Sequence, residues 1–196
     1  MKRPIPNNVK INSLKGEKVF SGERFDVYQW KQKEYDGSEA IYETVKKKDS
    51  VCIIPVVGDV IYLVKECHPH WAREGICLIS GGAEDGEELE AAARRELQEE
   101  TGMEFKNFYM VGIEQIGFIE WFRYVFIATG YLKTKEKKLD PGEKSEVLKV
   151  SFDEFIKLIR TKGFLYQQKF IEDFAVQDKV SELLDIVKNP EKYVIK

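Results

Sequence analysis

Runs of strand-forming apolar residues, separated by polar ones, predict a small antiparallel sheet in the first part of the chain. Residues 16–47 are rich in β-branched and aromatic side chains, which favour strands. Asp36-Gly37 stands between two such runs, and this dipeptide is typical of a tight hairpin turn. A charged stretch then separates the sheet from the remainder of the chain. We therefore expect an N-terminal β segment over residues 1–47 and a second domain over 48–196.

Beyond residue 48, short apolar runs indicate strands and longer periodic stretches indicate helices. Strands are expected at 51–57, 60–64, 75–82, 108–117 and 122–132, and helices at 89–101, 151–160 and 165–188. Ser151 and Glu154 have the spacing of a capping box, which begins the second helix. Residues 133–144 form a long polar loop. Because strands and helices mix without strict alternation, the predicted class is α+β.

Composition and charge exclude several classes of protein. The chain has 196 residues, of which 43% are hydrophobic and 33% charged, as in globular proteins. A net charge of −3 gives no broad basic surface, so nucleic acid is not an expected partner. No run approaches the length of about 18 apolar residues needed to span a membrane. Three cysteines are few and odd in number, which predicts free thiols and a cytoplasmic location.

One stretch concentrates negative charge on a predicted helix. Residues 84–100 contain eight acids and two arginines. Glu96, Glu99 and Glu100 are spaced i, i+3, i+4, so their side chains share one face. Like charges at this spacing destabilise a helix by roughly 0.2–0.5 kcal/mol per pair. A divalent cation that prefers oxygen ligands would offset this repulsion, so the cluster is a candidate metal site. The alternative interpretation is a charged helix face exposed to solvent.

Periodicity also limits which neighbours can join these carboxylates. Glu87 precedes Glu96 by nine positions, or about 180° around a helix, so it can reach them only from the preceding loop or the first turn. Arg95 is expected to hold a carboxylate such as Glu87. The stripe predicted to face the core is Leu89, Ala93 and Leu97.

These residues carry a resemblance to a known family. The spacing G81-x5-E87-x7-R95-E96-L97-x-E99-E100-x-G102-M103 resembles the complete signature of the Nudix hydrolases, with every specified position filled. At ordinary residue frequencies, a chance match in a chain this long is roughly one in ten million. The resemblance implies a Nudix α/β/α sandwich with a mixed sheet, and a metal-dependent hydrolase of a nucleoside diphosphate linked to another moiety.

The resemblance also assigns roles to positions in this sequence. Glu96 and Glu100 correspond to the principal Mg²⁺ ligands, with Mn²⁺ as a substitute metal. Glu99 would support a further metal ion, and the backbone carbonyl of Ser80 is a candidate ligand. Glu87 and Arg95 would orient the carboxylates.

A proton acceptor for the attacking water is expected in the polar loop near residue 143. In the enzymes that the chain resembles, the base often comes from this loop, which makes Glu143 and Glu146 the candidates. Glu120 is a weaker alternative. The chemistry needs such a carboxylate because the water must lose a proton as it attacks phosphorus.

More loosely, most of the chain resembles ADP-ribose pyrophosphatases. The similarity covers the N-terminal sheet and residues 49–57, 117–128 and 142–155. It implies a homodimer built by the N-terminal sheet, in which Tyr28 and Trp30 help to hold the adenine. The alternative for these two aromatics is plain sheet packing. The expected substrate is ADP-ribose or a related nucleotide-sugar, cleaved to a nucleoside monophosphate and a sugar phosphate.

Three departures from that pattern leave the identity of the nucleotide or sugar open. Gln115-Ile116-Gly117 replaces a common Ser-Pro-Gly, His68 replaces an arginine and Cys77 replaces a glutamate. We expect His68 to line the substrate cleft.

Other functions remain as alternatives at this point. One is a Nudix module that senses nucleotides without turnover. Another is a Nudix enzyme for dinucleoside polyphosphates or RNA caps. A third is a transition-metal site built from Cys67, His68, His70 and Cys77, although their spacing is irregular for zinc.

Overall fold

Two sheets organise the computed structural model, a small one at the N-terminus and a larger mixed one with helices on both faces. The described residues are 3–6, 9–69, 71–115, 119–139, 144–161, 169–176 and 178–195. The strands are β1 Glu17–Ser21, β2 Phe25–Lys33, β3 Glu39–Lys47, β4 Ser50–Val57, β5 Val60–Cys67, β6 Gly75–Cys77, β7 Ile79–Gly82, β8 Met103–Gln115, β9 Phe122–Thr134 and β10 Lys144–Ser151. The α-helices are α1 Leu89–Thr101, α2 Phe152–Arg160, α3 Lys169–Val176 and α4 Val180–Lys188.

The N-terminal sheet has the antiparallel order β1-β2-β3, which confirms the prediction. Its third strand is joined to the rest of the chain through Glu120. The backbone N–H of Lys47 donates to the Glu120 carbonyl at 3.0 Å, and the Glu120 N–H donates to the Val45 carbonyl at 2.8 Å. The Glu120 side chain forms an ion pair with Lys46 at 3.1 Å. The sheet therefore lies directly beside the start of β9.

The larger sheet has the order β10-β5-β4-β9-β8, with β6 paired to β5 and β7 paired to β4. Because β4 and β9 are parallel and the other pairs antiparallel, the sheet is mixed. Alternate residues of β4 separate two apolar layers: Val51 and Ile53 face α1, whereas Cys52 and Ile54 face α2–α4. Ala93 and Leu97 are buried in the first layer and Leu89 packs against it, as the helical stripe predicts.

Helix α1 has the predicted bounds because its end signals are local. Gly102 adopts a left-handed conformation with φ +71° and donates its N–H to the Gln98 carbonyl. Such a glycine commonly ends a helix, and the chain continues directly into β8. Helix α2 likewise begins with the predicted capping box, in which Ser151 and Glu154 satisfy each other's backbone N–H groups.

Several element boundaries differ from the predictions. The strand expected at 75–82 is divided in two, because β6 pairs with β5 and β7 pairs with β4. The single helix expected at 165–188 is wrong: α3 and α4 are separate helices, with Asp178 between them at φ +56°. Residues 162–168 lie outside the described part of the chain. No helix in the described ranges has the length and apolar character needed to cross a membrane.

Candidate active site

Strand β7 and helix α1 bring together the backbone of residues 80–81 and the helix carboxylates. The Glu96 carboxylate lies so close to Gly81 that a Cβ there would stand 2.0 Å from the carboxyl carbon. Glu100 is only 7% exposed, and the Ser80 N–H donates to its Oε1 at 3.4 Å. The structure therefore places Glu96, Glu100 and Ser80 side by side, as the sequence predicts.

Arg95 connects the preceding loop to the carboxylates of the helix. Its Nε and Nη2 donate to the two oxygens of Glu87, each at 3.0 Å. Its Nη1 donates to Glu96 at 2.8 Å and to Glu99 at 3.1 Å, and Nη2 also reaches the Gly82 carbonyl at 2.9 Å. The hydrogen bonds from Arg95 hold the pKa of Glu87 below its ordinary value. Glu87 lies in the loop before α1, where the helical periodicity requires it.

These donors fit a hard divalent cation. Glu96, Glu99 and Glu100 offer carboxylate oxygens and Ser80 offers a carbonyl, which is the ligand chemistry that Mg²⁺ prefers. Within the described residues, no group of three His, Cys, Asp or Glu side chains is arranged to hold a metal ion, and Glu96 and Glu99 are both paired with Arg95. The nearly buried Glu100 and the space that Gly81 leaves for Glu96 support an ion at these two residues.

Replacing Arg95 with lysine is expected to reduce kcat roughly tenfold and to weaken the metal affinity. A lysine keeps the charge but lacks the planar fork that binds Glu87, Glu96 and Glu99 together. Steady-state rates across a metal titration measure both effects.

Arg94→Lys is the matched control for that variant. Arg94 forms an ion pair with Glu90 and donates to the carbonyls of Phe105 and Lys106, outside the cluster described above. Its variant should keep near wild-type kinetics. Equal kinetics of the two variants would show that Arg95 does not orient the carboxylates.

An open cleft of about 430 Å³ leads to Glu100. We call it the active-site cleft. It is lined by Glu23, Arg24, Lys47, Lys48, Ser50, Glu66, His68, Trp71, Cys77, Ser80, Gly81, Gly82, Glu100, Trp121 and Arg123. Four of these residues are cationic, three are glutamates and two are tryptophans, so the cleft offers positively charged groups and large aromatic surfaces beside its carboxylates. That combination suits an anionic ligand with an aromatic group.

The predicted substrate contacts fall in different places. His68 lines the active-site cleft, with its ring centroid 4.4 Å from that of Trp71. Tyr28 and Trp30 lie on β2 of the N-terminal sheet, and the structure does not bring them to the cleft of their own chain. Sequence reasoning missed Trp71 and Trp121. No motif in the sequence marks either residue as part of the site. Trp71 follows His68 by three residues, and Trp121 immediately precedes β9.

Of the two glutamates proposed as the base, only Glu146 lies in the part of the chain that the structure describes. Glu143 lies outside the described residues. The prediction that Glu146 lies in a loop is wrong, because residues 144–151 extend the sheet as β10 and Glu146 pairs with Lys65 of β5. Strand alternation places Glu146 on the face of Leu148 and Val150, which packs towards α2–α4 rather than α1.

Glu120, the weaker candidate for the base, makes contacts between the N-terminal segments and the larger sheet. Its carboxylate accepts hydrogen bonds from the Ser13 hydroxyl at 2.6 Å and the Ser13 N–H at 3.1 Å. With the Lys46 ion pair, these contacts use the carboxylate to join the N-terminal segments to the larger sheet.

The proposed transition-metal site gains no support. His70 lies outside the described residues. Among the described ones, Cys67, His68 and Cys77 do not form a group that could hold a metal ion. Burial raises the pKa of the Cys77 thiol, which disfavours the thiolate that a metal would require.

A helix that carries three carboxylates, held against a glycine-rich strand of an α/β/α sandwich, defines the architecture of a Nudix hydrolase. The family model of the NUDIX domain matches residues 46–174. The chain therefore belongs to the Nudix family, whose hydrolases generally use a divalent metal ion.

Comparisons with individual proteins show which members of the family the chain resembles. The chain is 31% identical over 159 residues to an ADP-ribose pyrophosphatase of Bacillus subtilis (strain 168), covering 79% of this chain and 86% of that one. It is 25% identical over 169 residues to a methanol dehydrogenase activator of Bacillus methanolicus, covering 84% and 90%. A crystal structure of an ADP compounds hydrolase superimposes with a TM-score of 0.70 at 19% identity, over 87% of this chain and 94% of that one. This structural likeness concerns the fold.

Proposed function

We propose that this Nudix hydrolase cleaves the diphosphate of ADP-ribose or a related nucleotide-sugar, giving a nucleoside monophosphate and a sugar phosphate. The observation that carries the proposal is the position of Glu96, Glu100 and Ser80 beside a cationic, aromatic cleft. The similarity to the Bacillus subtilis ADP-ribose pyrophosphatase supports the substrate class. A cleft of about 430 Å³ is within the range of small-molecule sites.

The proposed metal is Mg²⁺, with Mn²⁺ as a substitute. Glu96, Glu100 and the Ser80 carbonyl would hold it, and Glu99 would support a further ion. When bound, such an ion supplies neutralisation of the diphosphate oxygens and activation of water. Arg95 and Glu87 orient the carboxylates, and Glu143 is the proposed acceptor of the proton from the attacking water.

We also propose a homodimer that associates through the N-terminal sheet. Apolar side chains on this sheet are exposed in the single chain. They are Val19, Phe20, Phe25, Ile41 and Tyr42. Association would bury this surface and allow Tyr28 and Trp30 of one protomer to approach the partner's cleft.

Free thiols at Cys52, Cys67 and Cys77 are compatible with the proposed cytoplasmic location.

The purified protein with Mg²⁺ is expected to hydrolyse ADP-ribose to AMP and ribose 5-phosphate. Chelation should abolish turnover, because uncompensated diphosphate charge repels the nucleophile, and added Mg²⁺ or Mn²⁺ should restore it. A screen against ADP-ribose, nucleotide sugars, dinucleoside polyphosphates, capped RNA and nucleoside triphosphates tests the substrate. Preference for another group would contradict the proposed substrate. Tight nucleotide binding by calorimetry without any cleavage would instead indicate a sensing module.

A further inference from the structure

Arg3 binds the loop that carries Glu87, although 84 residues separate the two in the sequence. Its Nη2 donates to the backbone carbonyls of Glu84 and Glu87, at 3.1 and 3.2 Å. Its Nη1 donates to the carboxylate of Asp49 at 3.0 Å. One guanidinium group therefore joins the N-terminal segment, the residue before β4 and the loop before α1.

Asp49 is fixed in the fold by contacts other than its ion pair with Arg3. Its Oδ1 accepts from the backbone N–H of Phe122 at 3.3 Å, where β9 begins. Its backbone carbonyl accepts from the N–H of Ala83 at 2.8 Å, where the loop leaves β7. Asp49 thus joins the start of β9 to the first residue of the loop, and Arg3 extends this connection further along the loop.

The N-terminal segment that carries Arg3 is itself held in place. The hydroxyl of Tyr124, a fully buried residue of β9, donates to the Pro4 carbonyl at 2.9 Å. Ile5 and Ile11 pack against the apolar layer on the α1 side of the large sheet. Because these contacts already order the segment, Arg3 binds the loop without a further cost in backbone entropy.

Glu87 is the point at which this contact reaches the carboxylates of α1. The Glu84 N–H donates to one Glu87 oxygen at 2.9 Å, and both Glu87 oxygens accept from Arg95. Arg95 in turn donates to Glu96. Hydrogen bonds from Arg95 lower the pKa of Glu87, and the positive charge of Arg3 adds to this effect. A shift of the Glu87 backbone would therefore move Arg95 and the Glu96 carboxylate with it.

We propose that Arg3 is a positioning residue for the hydrolysis. It holds the backbone of the loop so that Glu87 stays within reach of Arg95. Arg95 can then orient the carboxylate of Glu96 for the metal ion. This inference rests on the proposed function, in which Glu96 binds that ion. It extends the machinery of the site from α1 and its loop to the N-terminal segment of the same chain.

Calorimetry with Mn²⁺, together with steady-state kinetics, tests this role. Outer partners of metal ligands typically change affinity or activity about ten- to a hundredfold, and Arg3 acts one step further out. Arg3→Gln should therefore weaken Mn²⁺ binding at least about threefold and lower kcat about fivefold, with the KM for ADP-ribose within about twofold. Arg3→Lys, which keeps a cation beside Asp49, should recover part of both losses.

Arg160→Gln is the matched control for the loss of an arginine. Arg160 lies at the end of α2, on the other face of the large sheet, and pairs with the exposed Asp178 at 3.7 Å. Its variant should keep the wild-type kcat and Mn²⁺ affinity. A lower melting temperature in Arg3→Gln, with kcat and Mn²⁺ affinity equal to those of the control, would show a merely structural role and overturn the inference.

A double-mutant cycle shows whether Arg3 acts through Glu87. In the Glu87→Gln background, Arg3→Gln should lower kcat less than about twofold, because residues that act as a unit have non-additive effects. Fully additive losses would overturn the inference, and so would the absence of Mn²⁺ binding by the wild type. If Arg3→Gln weakens Mn²⁺ binding but the wild type does not hydrolyse ADP-ribose, the proposed function fails and the positioning role stands. If the wild type hydrolyses ADP-ribose with no dependence on Arg3, the reverse holds.

Discussion

Glutamine at either position 96 or position 100 is expected to reduce metal-dependent hydrolysis of ADP-ribose by at least about a thousandfold. A metal ion supplies several kcal/mol of transition-state stabilisation, and each 1.36 kcal/mol changes the rate about tenfold. Glutamine has nearly the shape of glutamate but lacks the charge that binds the ion. Glu100 is almost fully buried beside the Ser80 backbone, so glutamine in its place leaves this position without a negative charge. Initial rates over a range of Mg²⁺ concentrations measure the loss.

Glu90→Gln provides the control for charge on the same helix. Glu90 is exposed on α1 and pairs with Arg94 at 2.7 Å, away from Glu96 and Glu100. Its variant should keep the wild-type rate and lose only a few tenths of a kcal/mol in the free energy of unfolding. Near-normal rates in the Glu96 and Glu100 variants, with circular dichroism unchanged, would show that these residues are not the metal ligands.

The parts of the fold that the sequence predicts are those specified by neighbouring residues. Helix α1 combines a 3.6-residue apolar stripe with a terminal glycine at Gly102, and both signals act within a few residues. The capping box at Ser151 and the hairpin at Asp36-Gly37 are equally local. For the same reason Glu87, Arg95 and the helix carboxylates could be placed correctly, since one short helix and the loop before it contain them all.

The parts that could not be predicted depend on contacts between distant segments. Strand β10 has little apolar alternation of its own and forms because it pairs with the edge of β5, which is why the sequence pattern indicates a loop at Glu146. The walls of the active-site cleft come from the ends of β3 and β9 and from the segment around Trp71. No local pattern connects Lys47 with Trp121, so their contact is visible only in three dimensions.

The division of the chain into two domains at residue 47 remains a prediction. Arg3, which precedes this boundary, forms hydrogen bonds with residues that follow it. Arg3 donates to Asp49 at 3.0 Å and to the carbonyls of Glu84 and Glu87 at 3.1 and 3.2 Å. The N-terminal segment therefore crosses onto the loop that carries Glu87. Since Glu87 binds Arg95, this segment contacts the network that orients the carboxylates.

Gly81→Ala is expected to lower kcat by about a hundredfold while leaving the protein folded. An alanine Cβ at this position would stand 2.0 Å from the Glu96 carboxyl carbon, so the carboxylate must move. The end of a glutamate side chain can rotate away at little cost to stability. A displacement of about 1 Å at a reacting centre, however, can reduce the rate by about a hundredfold. Thermal unfolding and steady-state kinetics on the same preparation separate the two effects.

The adjacent Gly82→Ala variant decides whether that loss comes from Glu96 or from any added methyl group in the strand. A Cβ at Gly82 would meet nothing within 4 Å, and the Gly82 carbonyl that accepts from Arg95 is unchanged by the substitution. Gly82→Ala should therefore retain the wild-type rate. Because Gly81→Ala should act by displacing Glu96, combining it with Glu96→Gln should add little further loss. Additive losses in the double variant would mean that Gly81 acts on the reaction by some route other than Glu96.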